Sequence, residues 1–300
     1  MKKHTRAPAF GLAFLLAAAG VAAEEVKLAF GGLTLNGNAE TTGAGWQSGP
    51  VVLMTHGTLA HGGMEIMQSL QAALKDRGVS SLSITLSLGL SDRRGMYECA
   101  TPHVHRHTDA VDEIGAWLAW LQSQGVTKAA LLGHSRGGNQ TARFVAGRSD
   151  APVPAVILVA PQTATAGYAA QEYENRYGKP LKEPLARAQA LVAEGKGATL
   201  MEAVDFLYCA KASVSAAAFV SYYAPDERMD TPALLPQIGT PVLVVAGSED
   251  AVVKGLVEKV QPLADGKRVQ LKVVEGADHF FRDLYAEDVA DAVKAMLSGG

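Results

Sequence analysis

The sequence predicts an α/β fold, a mostly parallel sheet covered by helices. Three observations carry this. Short continuous apolar runs recur at residues 51–54, 82–86, 129–132, 155–159, 242–246 and 269–274, the pattern of strands buried on both faces. Between and after them, apolar residues return at helical spacing: Val111, Ile114, Trp117, Leu118 and Leu121, then Val289, Val293, Met296 and Leu297. Third, the run at 129–132 leads straight into Gly133-His134-Ser135-Arg136-Gly137 and then a helix-like segment. A G-x-S-x-G turn between strand and helix holds its serine in a sharp, exposed conformation at the sheet edge.

Taken in chain order, the elements begin with a leader. Lys2, Lys3 and Arg6 precede the apolar stretch 10–21, and Val21-Ala22-Ala23 supplies small residues before Glu24, so residues 1–23 read as a secretory signal peptide. The stretch is shorter than the ~20 apolar residues that span a bilayer. There is no twin-arginine pair and no cysteine at the cleavage point. The expectation is export, to a periplasm or the exterior, with no stable membrane insertion after cleavage. Residues 26–30 and 33–35 flank Gly31-Gly32 and suggest an antiparallel hairpin at a sheet edge. Trp117 and Trp120 read as core packing. From 162 to 236 no convincing buried strand is visible; Tyr168, Tyr173, Tyr177, Leu185, Ala188, Leu191, Met201, Val204, Phe206 and Leu207 follow largely helix-compatible spacing. The division expected is therefore a core at 24–161 and 237–300 with a helical lid or cap insertion at 162–236, on the sheet edge where open α/β sheets bind ligands.

Composition bounds the function. A hydrophobic content of 48% against 19% charged residues calls for a large buried core and argues against disorder. Removing residues 1–23 takes three positive charges from a net −3 and leaves −6, which makes nucleic acid an improbable partner. The two cysteines, Cys99 and Cys209, would meet an oxidising compartment, where an even count favours a disulfide over two separate buried thiols.

A hydroxyl is a weak nucleophile at neutral pH and needs a base, with a carboxylate to orient that base. His279, in Gly276-Ala277-Asp278-His279-Phe280-Phe281, follows the last expected strand. Asp250, in Gly247-Ser248-Glu249-Asp250, follows the strand before it, with Glu249 the alternative acid. The second oxyanion donor is expected on the loop Thr55-His56-Gly57-Thr58, whose histidine reads as structural, as does His134 beside the serine. With Gly89-Leu90-Ser91-Asp92 added, these motifs in this order resemble the α/β-hydrolase superfamily across nearly the whole chain after the leader. The resemblance implies an α/β-hydrolase fold with Ser135 as nucleophile, His279 as base, Asp250 as orienting acid, and the Thr58 and Arg136 amides as oxyanion donors, with no cofactor. A serine at the elbow counts against the dehalogenases and epoxide hydrolases of that superfamily, which carry aspartate there, and against its dienelactone hydrolases, which carry cysteine.

The expected activity is hydrolysis of a small or medium carboxylic ester through an acyl-enzyme. Thioesterase, amidase or peptidase, and carbon-carbon bond hydrolase remain open as alternatives, and a non-catalytic binding protein is the competing class. One segment falls outside this scheme: His103, His105 and His107 alternate after Cys99, in a pattern that fits substrate or lid contacts or a structural polar loop. No Asp/Glu cluster accompanies them except Asp109 and Asp112, so no metal is assigned.

Overall fold

In a computed structural model, residues 23–165 and 167–299 are described. The expected leader lies outside them apart from Ala23. The strands are β1 (Glu24–Phe30), β2 (Leu33–Glu40), β3 (Val51–Thr55), β4 (Ser80–Thr85), β5 (Ala130–His134), β6 (Val156–Val159), β7 (Leu200–Phe206), β8 (Cys209–Ser215), β9 (Val242–Gly247) and β10 (Val269–Val274). The helices are α1 (Glu65–Asp76), α2 (Asp109–Ser123), α3 (Arg136–Gly147), α4 (Tyr168–Tyr177), α5 (Lys182–Ala193), α6 (Ala216–Tyr223), α7 (Thr231–Leu234), α8 (Leu256–Val260) and α9 (Tyr285–Ser298).

Eight strands form one sheet in the order β1-β2-β4-β3-β5-β6-β9-β10. The β1/β2 and β2/β4 pairs are antiparallel and all the others parallel. The central strands are apolar on both faces because both faces are covered. Val52, Met54, Leu132, Ile157 and Val245 join the cluster that includes Ile66, Met67 and Leu70 of α1 and Val289 and Val293 of α9. Leu53, Leu131, Leu158 and Val244 join the one that includes Ile114, Trp117 and Leu121 of α2 and Phe144 of α3. Trp117 is fully buried, so burial alone accounts for it, and truncating such a residue costs about 3–5 kcal/mol. β4 begins earlier than its apolar run suggests. Its extra residues are buried serines whose hydroxyls are bonded: Ser80 accepts from the Thr42 amide, and Ser81 from Gln71.

The register fixes where the loops leave the sheet. Thr55 lies opposite Gly133, His134 opposite Val159, Val159 opposite Val245, and Gly247 opposite Val274. The carboxyl ends of β3, β5, β9 and β10 therefore share one edge, and the loops carrying Thr58, Ser135, Asp250 and His279 leave from it.

Between β6 and β9 the chain contains helices α4, α5 and α6, as the sequence pattern suggests, but also the antiparallel hairpin β7-β8, which it does not. The pattern misleads because the register shifts between Met201 and Val204 and again between Val204 and Phe206, with Ala203 at φ 53°. A bulge adds a residue to one strand, so buried positions fall three apart and imitate helical spacing. His103 adds to this hairpin: it forms a parallel bridge with Val214, its N–H donating to Ser213 O and its carbonyl accepting from Ser215 N.

Cys99 and Cys209 form a disulfide that joins the start of the histidine segment to β8 across 110 residues of sequence. Closing a loop of that length stabilises by about 4–5 kcal/mol in the chain-entropy model. A Cys99→Ala/Cys209→Ala variant is expected to lose about 2–5 kcal/mol in denaturant unfolding; an unchanged midpoint would show that the bridge adds nothing to stability.

Candidate active site

The site starts from the backbone at Ser135. The turn from β5 into α3 holds this residue at φ 56°, ψ −122°, a region that non-glycine residues occupy only under constraint. The constraint is steric. A Cβ at Gly133 would strike the Gly137 carbonyl and come within 2.6 Å of Thr141 Oγ1, and one at Gly137 would strike the carbonyls of Thr55 and His56. The two glycines let β5, α3 and the loop after β3 approach closely enough to make the turn.

That closeness brings three side chains into line. Ser135 Oγ lies 3.0 Å from His279 Nε2, and His279 Nδ1 lies 2.8 Å from Asp250 Oδ2. The other carboxylate oxygen, Oδ1, accepts from the amides of Val252 at 2.7 Å and Val253 at 2.9 Å. Burial would push the Asp250 carboxyl up, but the hydrogen bonds from His279 and these two amides outweigh it, and the net shift is downward. An ionised carboxylate only accepts, so His279 carries its proton on Nδ1 and presents the bare Nε2 to the Ser135 hydroxyl. Asp250, not the exposed Glu249, meets the imidazole.

His134 adds a support. Its Nε2–H donates to His279 O at 2.9 Å and its ring packs 4.8 Å from the His279 ring, which holds the loop after β10 against β5. Burial, then the neighbouring His279, brings His134 down to about 3, so it stays neutral beside His279.

On the other side of Ser135 stands the loop after β3. A Cβ on Gly57 would lie 3.1 Å from Ser135 Cβ, which sets the Thr58 amide beside the serine. Among the described residues no acceptor takes that N–H. Arg136 opens α3, where a first-turn N–H has no intrahelical acceptor and the helix dipole favours negative charge. His56 is a buttress. Its Nε2 accepts from Leu86 N at 3.0 Å, so Nδ1 holds the proton and donates to Gly57 O at 2.8 Å, fixing the peptide before Thr58.

Arg93, which the sequence reading passes over, is buried under the same loop. It donates to Leu86 O and Ala60 O, tying the loop after β4 to the loop after β3, and burial lowers its guanidinium to about 10. Its place directly after the Gly89-Leu90-Ser91-Asp92 turn, where Leu88, Gly89 and Asp92 take positive φ, was the available signal.

Above the site lies a cavity of about 440 Å³, within the range of small-molecule pockets. It reaches Thr58 and Arg136 and is walled by Tyr168, Tyr173, Tyr177, Tyr208, Tyr222 and Tyr223 from the insertion. The three histidines lie outside this lining. All are buried: His103 Nδ1 and His105 Nε2 are hydrogen-bonded at 3.3 Å, and His105 Nδ1 bonds Tyr222 OH at 2.8 Å. His107 Nε2 bonds Asn139 Oδ1 at 3.0 Å. They connect the sheet to the insertion. Among the described residues no group of His, Cys, Asp or Glu is arranged to hold a metal ion, and no helix is long and apolar enough to cross a membrane.

Residues 51–292 match the sequence model of the Alpha/beta hydrolase family. The chain belongs to that family. Solved structures with the same fold include Est1E from Butyrivibrio proteoclasticus with ferulic acid bound, at 19% identity and a TM-score of 0.64, covering 91% of this chain and 98% of that one. Another is the monoacylglycerol lipase of Paleococcus ferrophilus, at 18% identity and a TM-score of 0.60, covering 89% and 99%. A thioesterase domain from the curacin biosynthetic pathway matches at 17% identity and a TM-score of 0.55, covering 92% and 99%.

The buried histidines make stability depend on pH. Burial brings His103 to about 4; burial, then the charges of His103, Arg93 and Arg136, brings His105 to about 3. The unfolded chain takes up protons at the ordinary value of 6.5 while the folded rings do not, so stability is lost as pH falls from 6.5 toward these values. The thermal midpoint of the protein is expected to drop across that window, and the drop to shrink in a His103→Gln/His105→Gln variant. Equal slopes in the two proteins would rule out these histidines as the cause.

Proposed function

We propose that this protein is a serine hydrolase that cleaves a small or medium carboxylic ester through an acyl-enzyme. The observation that carries the proposal is the unbroken hydrogen-bonded line Ser135–His279–Asp250, beside a cavity that reaches the neighbouring Thr58 and Arg136. His279 Nε2 accepts the Ser135 proton as Oγ attacks the ester carbonyl, and Asp250 stabilises the imidazolium that forms. The carbonyl oxygen becomes an oxyanion held by the Thr58 and Arg136 amides, where the α3 dipole adds to the attraction. The imidazolium then returns the proton to the departing alkoxide, leaving an acyl group on Ser135. Water, deprotonated by His279, attacks that acyl group and releases the carboxylic acid and the free serine.

Walls of tyrosine suit an acyl or alcohol group with an apolar body. An exported location belongs to the same reading, supported by the leader-like segment 1–23 and by a disulfide that an oxidising compartment would preserve.

Ser135→Ala is expected to lower kcat for 4-nitrophenyl butyrate by at least about 10³-fold, and Asp250→Asn by about 10²–10⁴-fold, with folding checked by circular dichroism. A Ser135→Ala protein that turns over this ester at the wild-type rate would end the proposal.

A further inference from the structure

Arg136 serves the proposed reaction through its amide, but its side chain has no such role and enters the cavity. Its surroundings are unusual for a cation. Among the described residues it forms no ion pair with a carboxylate. Its Nε donates to Thr58 Oγ1 at 2.9 Å, its guanidinium lies 5.1 Å from the centre of the Tyr222 ring, and Nη1 approaches His107 Nδ1 at 3.4 Å. The other cationic lining residue is satisfied, Arg176 pairing with Glu172 at 2.7 Å. Of the lining acids, Asp226 is met by Arg143 and Arg228, and Glu227 is exposed to solvent.

The contact with His107 is built from behind. Asn139 Nδ2 donates to Arg228 O and Thr231 Oγ1, which leaves Asn139 Oδ1 to accept from His107 Nε2–H. His107 Nδ1 is then bare and accepts from Arg136, and full burial keeps the ring neutral. A guanidinium has five N–H donors; two are used here, and three have no partner among the described residues. An anionic ligand group would supply the counter-charge and the acceptors that these donors lack.

We propose that Arg136 is a specificity-determining residue that binds a negatively charged group, a carboxylate in the first instance, on the part of the ester that occupies the cavity. The substrate class is an ester with an apolar or aromatic body, packed on the tyrosines, and an anionic substituent seated on the guanidinium. His107, neutral and fixed through Asn139, is the positioning residue for that guanidinium. This inference rests on the hydrolase reading and narrows its substrate.

The test compares two isosteric pairs at neutral pH, each rate normalised to alkaline hydrolysis. One places the charge on the acyl side, the mono-4-nitrophenyl ester of adipic acid against 4-nitrophenyl hexanoate. The other places it on the alcohol side, 4-acetoxybenzoate against 4-tolyl acetate. In the wild-type enzyme kcat/KM is expected to favour the charged member about 10- to 100-fold in at least one pair, with the preference falling as ionic strength rises. Arg136→Met should collapse that ratio to about one or below, and Arg136→Lys should retain part of it, since the charge stays while the fork is lost. A wild-type ratio at or below one in both pairs overturns the inference without need of any variant, as does a ratio that Arg136→Met leaves unmoved. The two readings separate cleanly: turnover surviving in Ser135→Ala defeats the hydrolase, whereas an inactive Ser135→Ala beside a neutral-preferring wild type defeats the anion site alone.

Discussion

Everything at the candidate site depends on one constrained turn, in which Ser135 is held at φ 56° between β5 and α3. The conformation is unfavourable for a residue with a side chain, by about 1–3 kcal/mol, and persists because its surroundings leave no alternative. Gly133 lets the Gly137 carbonyl approach β5, and Gly137 lets the Thr55 and His56 carbonyls approach α3. Ser135 N–H donates to Val159 O, and Ser135 O accepts from Gln162 N, so the turn is also tied to β6 and to the start of the insertion. One backbone geometry thus fixes the hydroxyl, the Arg136 amide and the distance to the Thr58 loop together.

Around this turn the supporting histidines are neutral, whereas Arg136 carries a charge without a carboxylate partner among the described residues. His56, His134 and His107 are all buried histidines whose tautomers are set by fixed partners: Leu86 N–H for the first, His279 O for the second and Asn139 for the third. Each holds a neighbour in place without adding charge near the serine. The same device extends upward, where His103 and His105 join the β7-β8 hairpin and Tyr222 to the sheet and the Cys99–Cys209 bridge locks the connection. The insertion is therefore fastened to the sheet by a buried polar ladder and one covalent bond, which leaves its tyrosines as fixed walls for the cavity.

Much of this was legible in the sequence, for physical reasons. Strands buried on both faces must be continuously apolar, so residues 51–54, 129–132, 155–159 and 242–246 announce themselves. A nucleophile, acid and base on loops after such strands must meet at one edge when the strands are parallel, and Ser135, Asp250 and His279 do lie within hydrogen-bond distance of one another in series. Less legible was whatever depends on local irregularity or on which way a side chain faces. The bulges of β7 gave Met201 and Val204 a false helical spacing. The buried serines of β4 look like surface residues until their partners, Thr42 and Gln71, are known. His103, His105 and His107 alternate as a strand would, yet only the packing of α6 and α3 decides that they are buried between the sheet and the insertion.

The central claim is that Ser135 is the nucleophile of an acyl-transfer reaction, and covalent trapping reads it most directly. The protein is incubated with a fluorophosphonate, digested, and mapped by mass spectrometry. The account predicts one phosphonyl adduct, on the peptide that contains Ser135, formed at a rate that falls sharply when His279 is replaced by Ala. An unmodified Ser135 after prolonged exposure, or an adduct carried by a different residue, would contradict it.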